Sequence, residues 1–148
     1  MSLDIHVASN GVRGALGRRR IADIARAVLH AERVRAALVS VTLLDPRAMA
    51  RVNKRHLGHG GSTDVISFSF SRVTPKDPVV GDIYICPAVG RSHARARRIP
   101  VREELARLVV HGVLHVLGHE HPEGADREES AMWLRQERLL RRIAGGAQ

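Results

Sequence analysis

His111-Gly-Val-Leu-His115-Val-Leu-Gly118-His119-Glu120-His121 places four of the chain's nine histidines in one short run. His111 and His115 are four apart, so on a helix they share a face, one turn from each other. The residues before and between them include Leu105, Leu108, Val109, Val110, Val113, Leu114, Val116 and Leu117. From Leu108 onward this stretch is apolar nearly all round, the pattern of a buried helix running from Val101 to Leu117. A buried imidazole costs free energy unless its nitrogens are partnered. Two at this spacing read as ligands to one metal ion. Gly118 then supplies a helix stop, after which the chain can turn back to bring in a third histidine. His121, beyond the glycine, is the better placed, and His119 competes with it. Three protein ligands and one open position form the plan of a catalytic zinc site rather than a structural one.

At both histidines the helix resembles the His-Glu-x-x-His of zinc proteases, in which the glutamate is the general base. Here Gly112 occupies that position, so peptidase chemistry lacks its base. A glycine inside a buried helix also signals the close approach of another backbone or of a substrate.

Outward from this helix the chain alternates between strand and helix signals. Leu3 to Val7 reads as a short strand, and Ile21, Ile24, Ala25, Ala27, Val28 and Leu29 form a helical stripe within Arg18 to Ala37. Ala37 to Leu44 is rich in β-branched residues and reads as a strand. Asp45-Pro46 predicts an N-cap and a first-turn proline, opening a helix to about Arg55. Gly58-His59-Gly60-Gly61-Ser62 is a loop. Asp64 to Phe70 predicts a strand with Val65, Ser67 and Ser69 on one face and Ile66, Phe68 and Phe70 on the other. Pro75-Lys-Asp-Pro78 breaks it, and Val79 to Cys86 is its expected hairpin partner. Helices are expected at Pro87 to Arg98 and at Asp126 to Ile143. The last opens on Asp126 with Glu129 three residues on, a capping-box pattern. The fold class that follows is α+β: a small mixed four-stranded sheet packed with about five helices, one of them a metalloprotease-like zinc helix.

The 148 residues contain no internal repeat, low-complexity segment or linker, and a single domain over 1–148 is expected. A chain of this size buries roughly 70% of its unfolded surface and needs no disulfide. Its one cysteine, Cys86, fits a reducing compartment. The first residues lack a signal peptide's pattern, and no apolar run approaches the roughly 20 residues of a membrane span. A cytoplasmic location without membrane association is the expectation. Lysine and arginine total 24 against 15 acidic residues, a net charge of +9, and all but Lys54 and Lys76 are arginine. Arginine-rich genome composition explains arginine over lysine but not the excess of cations, which favours a polyanionic partner, nucleic acid first. With only Phe68, Phe70, Tyr84 and Trp133 as aromatics, base stacking does not dominate such binding.

The run from His111 to His121 resembles the signature of the YbeY family of bacterial endoribonucleases and ribosomal RNA maturation factors. Glu104-Leu-Ala-Arg-Leu-Val-Val110, Thr63-Asp64-Val65-Ile66-Ser67-Phe68 and Gly81-Asp82-Ile83-Tyr84-Ile85 also match it. The resemblance implies one zinc ion held by His111, His115 and His121. It implies an RNA substrate, ribosomal RNA or a ribosomal subunit, with a role in maturing the small-subunit RNA 3′ end and in ribosome quality control. Three positions depart from the pattern. His119 stands for the usual Tyr, Glu120 for the usual Asp, and Leu57 for an Arg that the family uses in nuclease function.

Zinc makes hydroxide available near neutral pH and stabilises charge developing on a phosphoryl oxygen, so phosphodiester hydrolysis suits such a site. Glu120 is the nearest acid in sequence and the candidate proton acceptor or partner to a ligand. Arg95 and Arg98, within Arg91 to Arg98, are candidates for RNA phosphate contacts, with Arg55 two residues before the family's Arg position. Asp64 and Asp82 read as structural turn or strand-end residues. Two other readings fit the sequence: a non-enzymatic RNA-binding ribosome assembly factor with a vestigial metal site, and a metallohydrolase with another substrate.

Overall fold

The Asp45 carboxylate accepts the Ala48 N–H at 2.8 Å, and Pro46 opens the helix that follows, as the sequence predicts. Signals of this kind set the elements of the computed structural model, which describes residues 2–58, 61, 63–120 and 130–146. In chain order they are β1 (Leu3–Ala8), α1 (Arg18–Ala31), β2 (Ala37–Leu43), α2 (Pro46–Leu57), β3 (Val65–Phe70), β4 (Val79–Ile85), α3 (Pro87–Arg97), α4 (Val101–Val116) and α5 (Ala131–Gly146). The architecture is the expected α+β one, with a four-stranded mixed sheet and five helices among the described residues.

The sheet order is β1-β2-β4-β3. β1 runs parallel to β2, and β2 runs parallel to β4. β3 and β4 form the predicted hairpin, antiparallel from Val65 opposite Ile85 to Phe70 opposite Val80. Its turn is tied by the Asp77 carboxylate, which accepts the N–H groups of Val73 and Thr74 at 3.1 and 2.9 Å.

The alternation of β3 divides the molecule into two layers. Ile66 and Phe68 pack with Leu44, Met49 and Tyr84 beneath α2. On the other face Val39, Val41, Leu43, Ile83 and Ile85 meet α1, α4 and α5 in the larger core. α4 crosses the middle of that core, against α1, α3, α5, β3 and β4, and every residue from Leu108 to Leu114 is buried. Gly112 and Gly81 let helix and sheet approach. A Cβ on Gly112 would sit 2.7 Å from Ile83 Cγ2, and one on Gly81 would sit 2.5 Å from Val116 Cγ1. The close neighbour that Gly112 signals is therefore the sheet, at Ile83 and Ser67.

The largest differences from expectation are at the end of α1 and the start of α5. α1 stops at Ala31, not Ala37, because Arg33 adopts a left-handed conformation (φ 60°) and Val34 N–H returns to Leu29 O. The apolar stripe already ends at Leu29. α5 begins at Ala131 with the Ser130 hydroxyl accepting the Trp133 N–H at 3.1 Å. The capping pair expected at Asp126 and Glu129 lies outside the described residues. Among the described residues, no helix is long and apolar enough to cross a membrane.

Candidate metal centre on the buried helix

His111 and His115 lie where the period of α4 puts them, with ring centroids 4.5 Å apart and planes at 75°. His111 is only 5% exposed, and His115 is half-buried. The His111 Nδ1 lies 2.7 Å from Oε1 of Gln136 on α5, a side chain only 1% exposed. The orientation of that amide is fixed on its other side, where Gln136 Nε2 donates to Glu137 Oε2 at 2.9 Å. An ionised carboxylate can only accept, so the amide nitrogen faces Glu137 and the amide oxygen faces His111. Nδ1 of His111 is then the donor, and the lone pair of the neutral ring is on Nε2. A histidine presents itself to a metal in this form.

Glu137 is held in turn by Arg107 of α4, whose Nε and Nη2 reach its two oxygens at 2.8 and 2.9 Å. The same guanidinium donates to Glu104 at 2.9 Å and Glu103 at 3.2 Å. Burial alone would push the Glu137 carboxyl up, but the bonds from Arg107 and Gln136 hold it below its usual range. Those carboxylates, Glu137 foremost, keep the Arg107 guanidinium charged despite burial.

Arg107→Ala would strand Glu104, a carboxylate only 3% exposed, and the expected loss is about 3–5 kcal/mol, read from denaturant midpoints at pH 7. Because the folded Glu137 carboxyl titrates below its unfolded value, its share is full above about pH 4.3 and fades as pH falls through the folded pKa. The gap between wild type and variant is therefore expected to narrow in acid. A gap that stays constant as the pH falls through and below the ordinary carboxylate range would contradict this.

α4 ends as Gly118 predicts. Gly118 takes φ 98°, its N–H meets His115 O, and His119 N–H returns to Leu114 O, the paired bonds of a Schellman turn. His119 Nε2 then lies 3.2 Å from Glu32 Oε1, at the end of α1. Glu120 is exposed at the end of this turn. His121, the expected third ligand, lies outside the described residues.

The candidate arginines are not gathered around the pair. Arg55 lines a cavity with Thr42, Leu44 and Tyr84 on the α2 side of the sheet, the face opposite α4. Arg95 and Arg98 are exposed at the end of α3, where Arg98 takes a left-handed turn (φ 57°). They precede the start of α4, and His111 lies about 15 Å further along that helix. A different set of cations, Arg33, Arg35, Arg72 and Lys76, outnumbers Glu32 and Asp77 in the lining of a cavity of about 690 Å³ that also meets His119, beside the C-terminal end of α4. No sequence signal marks them: they come from the α1–β2 and β3–β4 connections, and only the fold brings them together.

Asp64 directly precedes β3, as expected of a strand-end residue. With His93 and Glu104 it forms a group whose donor atoms lie within 4.8 Å of one another, a set that can hold a metal ion. Asp64 Oδ2 is 3.2 Å from His93 Nδ1. Glu104 of this group precedes His111 by two turns of α4, about 10 Å. Asp82 accepts the Ser40 hydroxyl at 2.7 Å across β2 and β4, in keeping with a structural role.

Residues 10–144 match the family model described as Endoribonuclease YbeY. A protein of Frankia casuarinae with that name is 39% identical over 132 residues, which cover 82% of this chain and 65% of that protein. The Acidothermus cellulolyticus protein of the same name is 38% identical over 143 residues, 85% of this chain and 87% of its own length. The solution structure of TM1509 from Thermotoga maritima superposes with a TM-score of 0.65 at 22% identity, covering 96% of this chain and 90% of the other, and shares the fold. By its histidine helix, its architecture and these matches, the chain belongs to the YbeY family.

Proposed function

We propose that this chain is a zinc-dependent, single-strand endoribonuclease of the cytoplasm. Its role is to mature ribosomal RNA, including the small-subunit 3′ end, and to act in ribosome quality control. The observation that carries the reading is the histidine pair on the buried helix of a YbeY-family chain, with His111 held so that its lone pair lies on Nε2. His111, His115 and His121 would hold one zinc ion. The donor set fits, since imidazole is a common zinc ligand and three leave one position open. Zinc bound there supplies Lewis acidity for phosphodiester hydrolysis at neutral pH.

The chain's own residues do the rest. Gln136 holds the His111 ring. Glu120, exposed just past the helix, is the candidate proton acceptor. Arg33, Arg35, Arg72 and Lys76 provide a cationic wall beside the end of α4. Arg55, Arg95 and Arg98 would meet phosphates farther along the strand. Cys86 is buried and free, in keeping with a reducing compartment. Leu57, in place of the family's Arg, favours one second reading, a non-enzymatic RNA-binding assembly factor.

The test incubates zinc-loaded protein with single-stranded and with structured RNA, with and without a chelator. Chelator-sensitive cutting of the single strand supports the enzyme, whereas binding without cutting establishes the assembly factor. RNA affinity is expected to fall steeply between low and physiological salt. Replacing Arg72 and Lys76 by glutamine is expected to reduce the log–log salt slope by about 1 for each phosphate that is no longer neutralised. An affinity flat in salt would remove the electrostatic basis of the reading.

A further inference from the structure

The face of α4 that looks toward α5 carries Glu104, Arg107 and His111, at positions i, i+3 and i+7. These meet Gln136 and Glu137 to form a continuous polar ladder through the apolar core. Three of its members are buried, with Glu104 3% exposed, His111 5% and Gln136 1%, while Arg107 and Glu137 are partly exposed, their side chains at 12% and 21%. A ladder of this kind is no more stabilising than well-packed apolar side chains, since desolvation offsets the attraction of its charges. What it adds is direction. The bonds from Arg107 each have an unambiguous donor, since the guanidinium can only donate and the carboxylates only accept. Glu137 accepts from both Arg107 and the Gln136 amide, and that leaves the amide oxygen as the only group Gln136 can turn to His111.

We propose that Gln136 is a positioning residue for the metal centre. It fixes the His111 ring in the Nδ1–H tautomer with Nε2 toward the metal, and Arg107 and Glu137 set its amide the right way round. This rests on the reading of His111 as a ligand. The proposal makes α5 part of the metal site without contributing a ligand. Gln136 stands on α5 among Met132, Leu139 and Leu140, all buried, and a hydrocarbon there would remove the acceptor facing His111 Nδ1.

The test uses the zinc-loaded full chain in wild type, Gln136→Met, Gln136→Glu and His111→Ala forms. Zinc affinity is measured by chelator competition, and the His111 ring proton is located by long-range proton–nitrogen NMR spectra. Thermal unfolding monitors the fold. Wild type is expected to carry the proton on Nδ1. Gln136→Met, close in shape but without the amide, is expected to bind zinc about 10–100-fold more weakly. Its metal-free form should populate both tautomers. Gln136→Glu keeps an acceptor and is expected to recover part of the affinity. A wild-type ring proton on Nε2 overturns the proposal whether or not any variant folds. So does a folded Gln136→Met with unchanged affinity and tautomer, provided His111→Ala no longer binds zinc. If His111→Ala itself binds zinc as wild type does, the ligand reading fails instead.

Discussion

His115→Ala is expected to slow RNA cleavage on the order of 1,000-fold while leaving the protein folded. The magnitude follows from the several kcal/mol of charge stabilisation that a metal gives a phosphoryl transfer, at tenfold per roughly 1.36 kcal/mol. His115 is the better of the two described histidines to replace, because its ring is only half-buried. His111→Ala would also strand the buried Gln136 oxygen, so its activity loss would carry a stability loss within it. The measurement is single-turnover cleavage of a labelled single-stranded RNA, with bound metal counted by elemental analysis in the same preparation. Loss of zinc together with cleavage supports the proposed site. Cleavage persisting at the wild-type rate in a metal-free His115→Ala protein would remove the metal from the reaction, whereas cleavage persisting with metal still bound would point to a second centre, for which Asp64, His93 and Glu104 are the candidate group.

The features legible from the sequence are those whose cause is local. The period of α4, the stop at Gly118, the cap at Asp45 and the alternation of β3 all depend on residues within a turn or two, and all appear as expected. α1 reads too long from its sequence because the helical stripe carries no stop signal; what ends it is a left-handed arginine, a conformation that arginine rarely announces. The polar ladder is not legible at all. The role of Gln136 depends on His111, 25 residues away, facing it from another helix. Sequence gives the face of a helix, not the layer in which the helix packs, so it does not show that Arg55 lies across the sheet from the histidines. Arg33, Arg35, Arg72 and Lys76 become one wall only because the fold sets the α1–β2 connection beside the β3–β4 connection.

Gly112→Glu, which would restore the sequence of a protease helix, is expected to unfold the protein rather than give it peptidase activity. Position 112 faces the sheet: its Cβ would lie 2.7 Å from Ile83 Cγ2 and 3.4 Å from Ser67 Oγ, and Ser67 already donates to Gly112 O at 3.2 Å. Ile83 is fully buried and branched at Cβ, so it cannot swing aside. Alanine alone is expected to cost about 1–3 kcal/mol by overpacking. Glutamate adds a charged carboxylate to this buried seam, and the sum exceeds about 4 kcal/mol, a large share of the roughly 5–15 kcal/mol margin of an ordinary domain. Circular dichroism and thermal unfolding of Gly112→Ala and Gly112→Glu are the measurements. The alanine variant is expected to keep its metal and lose stability, and the glutamate variant to lose its cooperative transition. A Gly112→Glu protein that melts as wild type does would mean that α4 is not seated on β4 in this way. The two histidines thus keep the spacing used by the proteases, but the direction one residue further round the helix is filled here by a strand. What Gly112 supplies is contact with that strand, and the same contact leaves no room for a base.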